Sequence, residues 1–259
     1  MAERLCTITG EQSTLMLTFS RKHPEDIFHW TVPEGIFGDW GFSLIAPAWY
    51  YVPGAKWQEE GNERFLEKDY PALGAFATEI TVEDEYMECR IRVKNNRNYT
   101  VNGVGGHVCW GFQKAKRFYP DAMARTYIPI GGKLTKLSET DRSRSFENIM
   151  PVYAVKGAEG PENWRDRVDN GYGWGLSDDE VDNSFIGIES KDGTRVSGTF
   201  FKDAFKVTFN EKPIWHGCIH SEPYFGTLKA GEEKEVVGRA YIMKGTIKDL
   251  YKKFLEYKG

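Results

Sequence analysis

Apolar and polar residues alternate strictly over residues 87–94. Met87, Cys89, Ile91 and Val93 take one side, and Glu88, Arg90, Arg92 and Lys94 the other. A period of two predicts a half-buried β-strand. Asn95-Asn96-Arg97-Asn98 then marks a turn. Shorter β-prone runs fall at residues 14–19, 75–82, 106–112, 205–209 and 236–243. Residues 185–190 and 195–200 flank Lys191-Asp192-Gly193-Thr194, an Asp-Gly hairpin signal.

Helical periodicity is confined to two places. Ile247, Leu250, Tyr251, Phe254 and Leu255 recur at helical spacing behind Thr246, with Asp249 at the capping-box position, which predicts a helix over 246–258. Residues 161–167 read as one short helical turn. Residues 130–183 show neither period and are rich in Gly, Asp, Glu and Arg, so they read as an irregular insertion of the kind that serves as a functional loop. The expectation is one all-β domain over 1–259: an antiparallel β-sandwich with a long loop insertion and a C-terminal helix.

Composition narrows the function classes. The chain has 259 residues, 40% hydrophobic and 14% aromatic, enough for a core without staples. A net charge of −4 and the lack of a basic stripe argue against a nucleic-acid partner. No window approaches the ~18 apolar residues of a membrane span. The N-terminus has no apolar signal region, and Cys6, Cys89, Cys109 and Cys218 lack C-x-x-C spacing and read as free thiols. Both point to a cytoplasmic protein.

Chemistry concentrates at residues 215–226, which hold two of the five histidines: Trp215, His216, Cys218, His220, Glu222, Tyr224 and Phe225. On a strand His220, Glu222 and Tyr224 share a face. His107 and Glu222 are the residue types for proton transfer, one as acid and one as base. His107, His216 and His220 are the candidate metal ligands, although a regular strand sets His216 roughly 13 Å from His220, and a metal-free cleft is the expectation. Arg125 and Tyr127 share a face and would suit a uronate carboxylate and its α-proton. Trp110, Trp174, Trp215 and Tyr224 are the rings suited to the apolar face of a sugar. The acidic run 177–183 departs from calcium-loop spacing. No nucleophile elbow, phosphate loop or dinucleotide fingerprint occurs, so no organic cofactor is expected.

Two segments resemble the galactose mutarotase (aldose 1-epimerase) superfamily. One is the strand at 88–96 with Val104-Gly105-Gly106-His107-Val108-Cys109-Trp110-Gly111-Phe112. The other is Ile219-His220-Ser221-Glu222-Pro223-Tyr224-Phe225 with Leu228-Lys229-Ala230-Gly231-Glu232 and Gly238-Arg239-Ala240-Tyr241-Ile242. Gly106 stands where the family has Asn, and Ala230 where it has Pro. The resemblance implies a galactose mutarotase-like supersandwich, a sugar ligand, His107 as acid and Glu222 as base. Two other activities fit such a sandwich: a lyase acting on uronate-containing glycans, built on Arg125 and Tyr127, and a non-catalytic carbohydrate-binding module.

Overall fold

The computed structural model of the protein describes residues 7–8, 15–20, 23–38, 52, 54–145, 150–169, 174–211 and 217–258. Among these, seventeen strands form two sheets. The first runs, in spatial order, β1 (Thr7–Ile8), β2 (Leu15–Ser20), β3 (His23–Phe37), β8 (Val101–Ala115), β16 (Cys218–Leu228), β15 (Ala204–Asn210), β11 (Pro151–Ala154) and β12 (Gly175–Leu176). The second runs β10 (Lys133–Lys136), β9 (Thr126–Ile130), β13 (Ile186–Glu189), β14 (Arg195–Phe201), β17 (Glu233–Lys244), β7 (Tyr86–Asn95), β6 (Gly74–Val82), β5 (Glu63–Tyr70) and β4 (Gln58–Glu60). Pairing within the sheets is antiparallel except between β11 and β12.

The two sheets bury one core between them. β7 delivers Met87, Cys89, Ile91 and Val93, all fully buried, as its alternation requires. From the first sheet come Phe28, Trp30, Val108, Trp110, Phe112, Val207, Phe209 and Ile219. Trp110 stacks on Phe28 with centroids 5.2 Å apart, and its indole N–H donates to Ser197 Oγ on the facing sheet at 2.9 Å. That bond satisfies the polar edge of a ring that is otherwise wholly enclosed.

The outer face of the second sheet carries a second apolar cluster. Helix α2 (Ile247–Lys258) lays Ile247, Leu250 and Phe254 against Phe185, Val196, Phe200 and Tyr241. Its start is a capping box: Asp249 Oδ2 accepts from the Thr246 backbone N–H, and Asp249 N–H donates to Thr246 Oγ1. The helix approaches over paired glycines. A Cβ on Gly187 would stand 2.7 Å from Ile247 Cδ1, and one on Gly198 3.0 Å from Leu250 Cδ2.

The stretch 130–183 is less irregular than its sequence suggests. It supplies β10, β11, β12 and the short helix α1 (Trp164–Asp169). All four residues of β11 are buried, so no alternation marks it as a strand.

Candidate active site

The outer face of the first sheet positions the candidate groups by register. On β8, Val108, Trp110 and Phe112 enter the core, so His107, Cys109 and Gly111 face outward. On β16, Ile219 and Phe225 enter the core, and Cys218, His220 and Glu222 face outward. Cys218 pairs with Gly111 and Tyr224 with Gly105, a register that sets His220 across from Cys109 and Glu222 across from His107. On the far side, β15 pairs Lys206 with Glu222 and Thr208 with His220. On the near side, β3 pairs Gly35 with His107, Thr31 with Cys109 and His29 with Gly111, with an irregularity between Thr31 and Gly35.

One row of this lattice is an ionic cluster. His107 Nδ1 lies 3.0 Å from Glu222 Oε1, and Lys206 Nζ lies 3.1 Å from Glu222 Oε2. Glu34 Oε2 is 3.5 Å from His107 Nε2. Glu222 is 1% exposed, and neither of its oxygens has an aligned hydrogen-bond donor among the described residues. Its contacts to His107 and Lys206 are ion pairs at 3.0 and 3.1 Å.

These contacts set the charges. Burial pushes the Glu222 carboxyl up, but Lys206 and then His107 overcome it and hold the group at about 2. Burial opposes a charged His107, yet the carboxylate of Glu222, then that of Glu34, carries its pKa above the ordinary histidine value. His220 goes the other way. Burial, and then the charge of His107, hold it well below the ordinary value, so it is neutral. Its ring meets that of His107 edge-on at 4.6 Å, and its Nδ1 contacts Thr208 Oγ1.

A cleft of about 270 Å³ opens over this row. His107, Lys206, Thr208 and Glu222 are its polar floor, and Phe37, Trp164, Trp174 and Phe205 are its aromatic walls. Trp174 reaches to 5.9 Å from the His220 ring, and Trp164 packs edge-on against Phe205 at 5.1 Å. Convergent polar groups inside an apolar, half-open cleft are the general form of a small-molecule site.

Several expected site residues lie elsewhere. Trp110 is 0% exposed in the core, on the opposite face of β8 from His107, so it cannot meet a ligand in the cleft. Tyr127 stands on β9 in the other sheet, its hydroxyl 3.3 Å from Glu189 and its ring against the α2 cluster. Arg125 is tied to Asp121 and to the carbonyls of Phe118 and Pro120. Neither can join His107, because each is fixed to the second sheet or to the loop leading into it. Tyr224 touches Phe205 but lines the adjoining cavity. Trp215 and His216 lie outside the described residues. In the acidic run, Ser177 N–H and Asp182 are spent on backbone partners: Ser177 donates to Val152 O, and Asp182 accepts from Gly131 and Gly132.

Lys206, Glu34, Trp164 and Phe205 were not foreseen. Lys206 and Thr208 had a signal in the alternation of Phe205-Lys206-Val207-Thr208-Phe209. Glu34 had none, since the irregularity in β3 is what brings it to His107.

No protein-family model matches the sequence, and no curated protein matches it. Solved structures do. The galactose mutarotase related enzyme from Lactobacillus acidophilus aligns with 95% of this chain and 99% of its own at 13% identity and a TM-score of 0.52. The Slr1438 protein of Synechocystis sp. PCC 6803 aligns with 93% of this chain and 95% of its own, at 8% identity and a TM-score of 0.49. A galactose mutarotase-like protein from Lactobacillus casei covers 92% of this chain and 100% of its own, at 9% identity and a TM-score of 0.46. At 13% identity the first of these is a likeness of fold: this chain has the galactose mutarotase-like sandwich. No described helix is long and apolar enough to cross a membrane.

Proposed function

We propose that the cleft over His107 and Glu222 opens and recloses the ring of an aldose by acid–base catalysis, in the manner of a mutarotase. The observation that carries the reading is Glu222: a carboxylate buried to 1%, held between an imidazole and an ammonium at the floor of an aromatic-walled cleft. Buried charge is costly to maintain, and clustered titratable groups in a cleft mark functional sites more often than structural ones.

In this reading the sugar lays its apolar face on the aromatic walls. His107 donates its proton to the ring oxygen, Glu222 takes the proton of the anomeric hydroxyl, and the bond between C1 and the ring oxygen breaks. The C1 unit rotates and the steps reverse, so both groups return to their starting states. Glu222 is a weak base while His107 and Lys206 both touch it. An anomeric hydroxyl that displaces one of them returns the advantage to burial, which raises the carboxylate's basicity where the substrate is bound. Glu34, beside His107 Nε2, favours the protonated ring. The form of β-elimination built on Arg125 and Tyr127 does not fit this row, since both are anchored away from it, and the arginine that lines the cleft is Arg167. A pure binding module would use the walls and have no need of the buried charges.

The test is polarimetry on a panel of simple aldoses with Glu222→Gln and His107→Asn as controls. The expected result is accelerated mutarotation that each substitution lowers by about 10²–10⁴-fold. Unchanged mutarotation in the presence of saccharide binding would replace the reading with a binding module. An ultraviolet-absorbing unsaturated product from uronate oligosaccharides would replace it with a lyase.

A further inference from the structure

The register that builds the ionic row also builds a cluster of soft ligands one and two rows along the same face. Cys109, Cys218 and His220 are 7%, 3% and 2% exposed, and their two sulfurs and one ring nitrogen lie within 4.8 Å of one another. His29, on β3, stands at the edge of this trio, with Nε2 3.9 Å from Cys109 Sγ. Three ligand atoms on two adjacent strands thus converge on one spot, with a histidine of a third strand beside them.

The spot is built around a missing side chain. Gly111 sits between His29 and Cys218 in the pairing. A Cβ there would stand 1.8 Å from His29 Cε1 and 1.9 Å from Nε2. Any other residue at 111 would expel the His29 ring from its place beside the Cys109 thiol.

His220 points to a ligand independently. Its Nδ1 is engaged by the Thr208 hydroxyl, whereas Nε2 has no hydrogen-bond partner among the described residues, although the side chain is buried. A buried ring nitrogen without a partner costs free energy unless something binds it. Metal-binding histidines characteristically use one nitrogen for the ion and the other for an outer hydrogen bond, which is the division seen here.

We propose that Cys109, Cys218 and His220 bind one thiophilic transition-metal ion of the zinc(II) class, with the His29 ring turning in from beside Cys109 to close a tetrahedral site. Ideal Zn–S and Zn–N lengths place tetrahedral ligand atoms roughly 3.5–3.8 Å apart, so the Cys109, Cys218 and His220 atoms, which lie within 4.8 Å of one another, close by at most about 1.3 Å, and the His29 ring moves further. Two thiolates with two imidazoles select zinc-like ions over calcium or magnesium. On binding, two S–H bonds break, two sulfur–metal bonds form, and two protons pass to solvent. With four protein ligands there is no open position. The ion ties β3, β8 and β16 together and fixes His220, against whose ring His107 packs. The inference stands apart from the sugar chemistry, because its readout is metal binding.

The experiment is a titration of the full chain, freed of metal by chelator, with Co(II) and then Zn(II). One equivalent of Co(II) should produce thiolate-to-cobalt charge-transfer and tetrahedral d–d absorption, and Zn(II) should abolish both. Cys109→Ser and Cys218→Ser should each weaken binding by at least about a hundredfold, the upper end of what losing an outer partner costs. Gly111→Ala should weaken it by displacing His29, while Cys89→Ser, on β7 in the other sheet, leaves the affinity unchanged. The wild-type spectrum decides even if a variant does not fold. Absence of the charge-transfer band at saturating Co(II), its survival in both cysteine variants, or a Cys109–Cys218 disulfide in freshly purified protein would overturn the proposal.

Discussion

Replacing Lys206 with Met removes the ammonium from Glu222 and keeps a side chain of similar length against Trp164 and Phe205. At 3.1 Å and an effective dielectric near 20, the lost attraction is about 5 kcal/mol. Removing one partner of a buried pair costs a net ~3–5 kcal/mol, since it strands the other charge. His107 stays 3.0 Å from the same carboxylate, so the lower end applies: about 3 kcal/mol. The assay is urea unfolding at neutral pH followed by tryptophan fluorescence, read as a midpoint shift at constant slope. The double variant Lys206→Met/Glu222→Gln strands no carboxylate, so it should unfold within ~1 kcal/mol of the wild type, a coupling at the upper end of the ~0.5–3 kcal/mol range for touching residues. The reasoning is refuted if Lys206→Met costs under ~1 kcal/mol, or if the double variant loses the sum of its two singles.

Three further outcomes are expected. Asp192 is held at about 2 by Ser190 Oγ and by the hydroxyl and N–H of Thr194. A depressed carboxyl stabilises the hairpin above the unfolded value of ~3.9 and ceases to as pH falls through the folded one; carboxyl NMR finding an ordinary midpoint would sink this. Phe254→Ala empties a site packed against Phe185, Phe200 and Tyr251 and should cost ~3–5 kcal/mol in denaturant unfolding; a loss under ~1 kcal/mol would mean that α2 does not depend on it. Trp110→Phe should lower stability by ~1–2 kcal/mol and leave saccharide affinity unchanged, whereas Trp174→Ala should weaken binding roughly tenfold with stability little changed. The reverse pattern in calorimetry would contradict the assignment of the two rings.

Strands with one wet and one dry face could be read from the chain. β7 alternates cleanly, and so does the pairing of His220 with Glu222 on one face of β16. β3 could not be read. It begins with His23-Pro24-Glu25-Asp26 and alternates only over residues 26–30 before residues 30–33 are buried without a break, so period-two reasoning has little to count. That break hid Glu34, whereas His29 sits in the alternating part, between buried Phe28 and Trp30, and was missed despite the signal. β11 was hidden because both its faces are covered. Arg125 and Tyr127 show the opposite failure: the shared-face reading put both on one strand, but β9 begins at Thr126 and leaves Arg125 in the preceding loop, and no sequence signal says which sheet a strand joins. Trp110 was misassigned for a simpler reason. A ring beside His107 in sequence is by alternation on the other side of the strand, and parity should have outweighed proximity.

That parity has a consequence for measurement. On β8 the groups that would do chemistry and the groups that fill the core occupy neighbouring positions, 107, 109 and 111 against 108, 110 and 112. A slip of one residue would exchange the two sets, sending a histidine and a thiol inward and two large rings into solvent. No misregistered molecule can keep the site while losing the core. Under the proposals above, specific activity or metal stoichiometry would therefore also count the correctly paired molecules in a preparation.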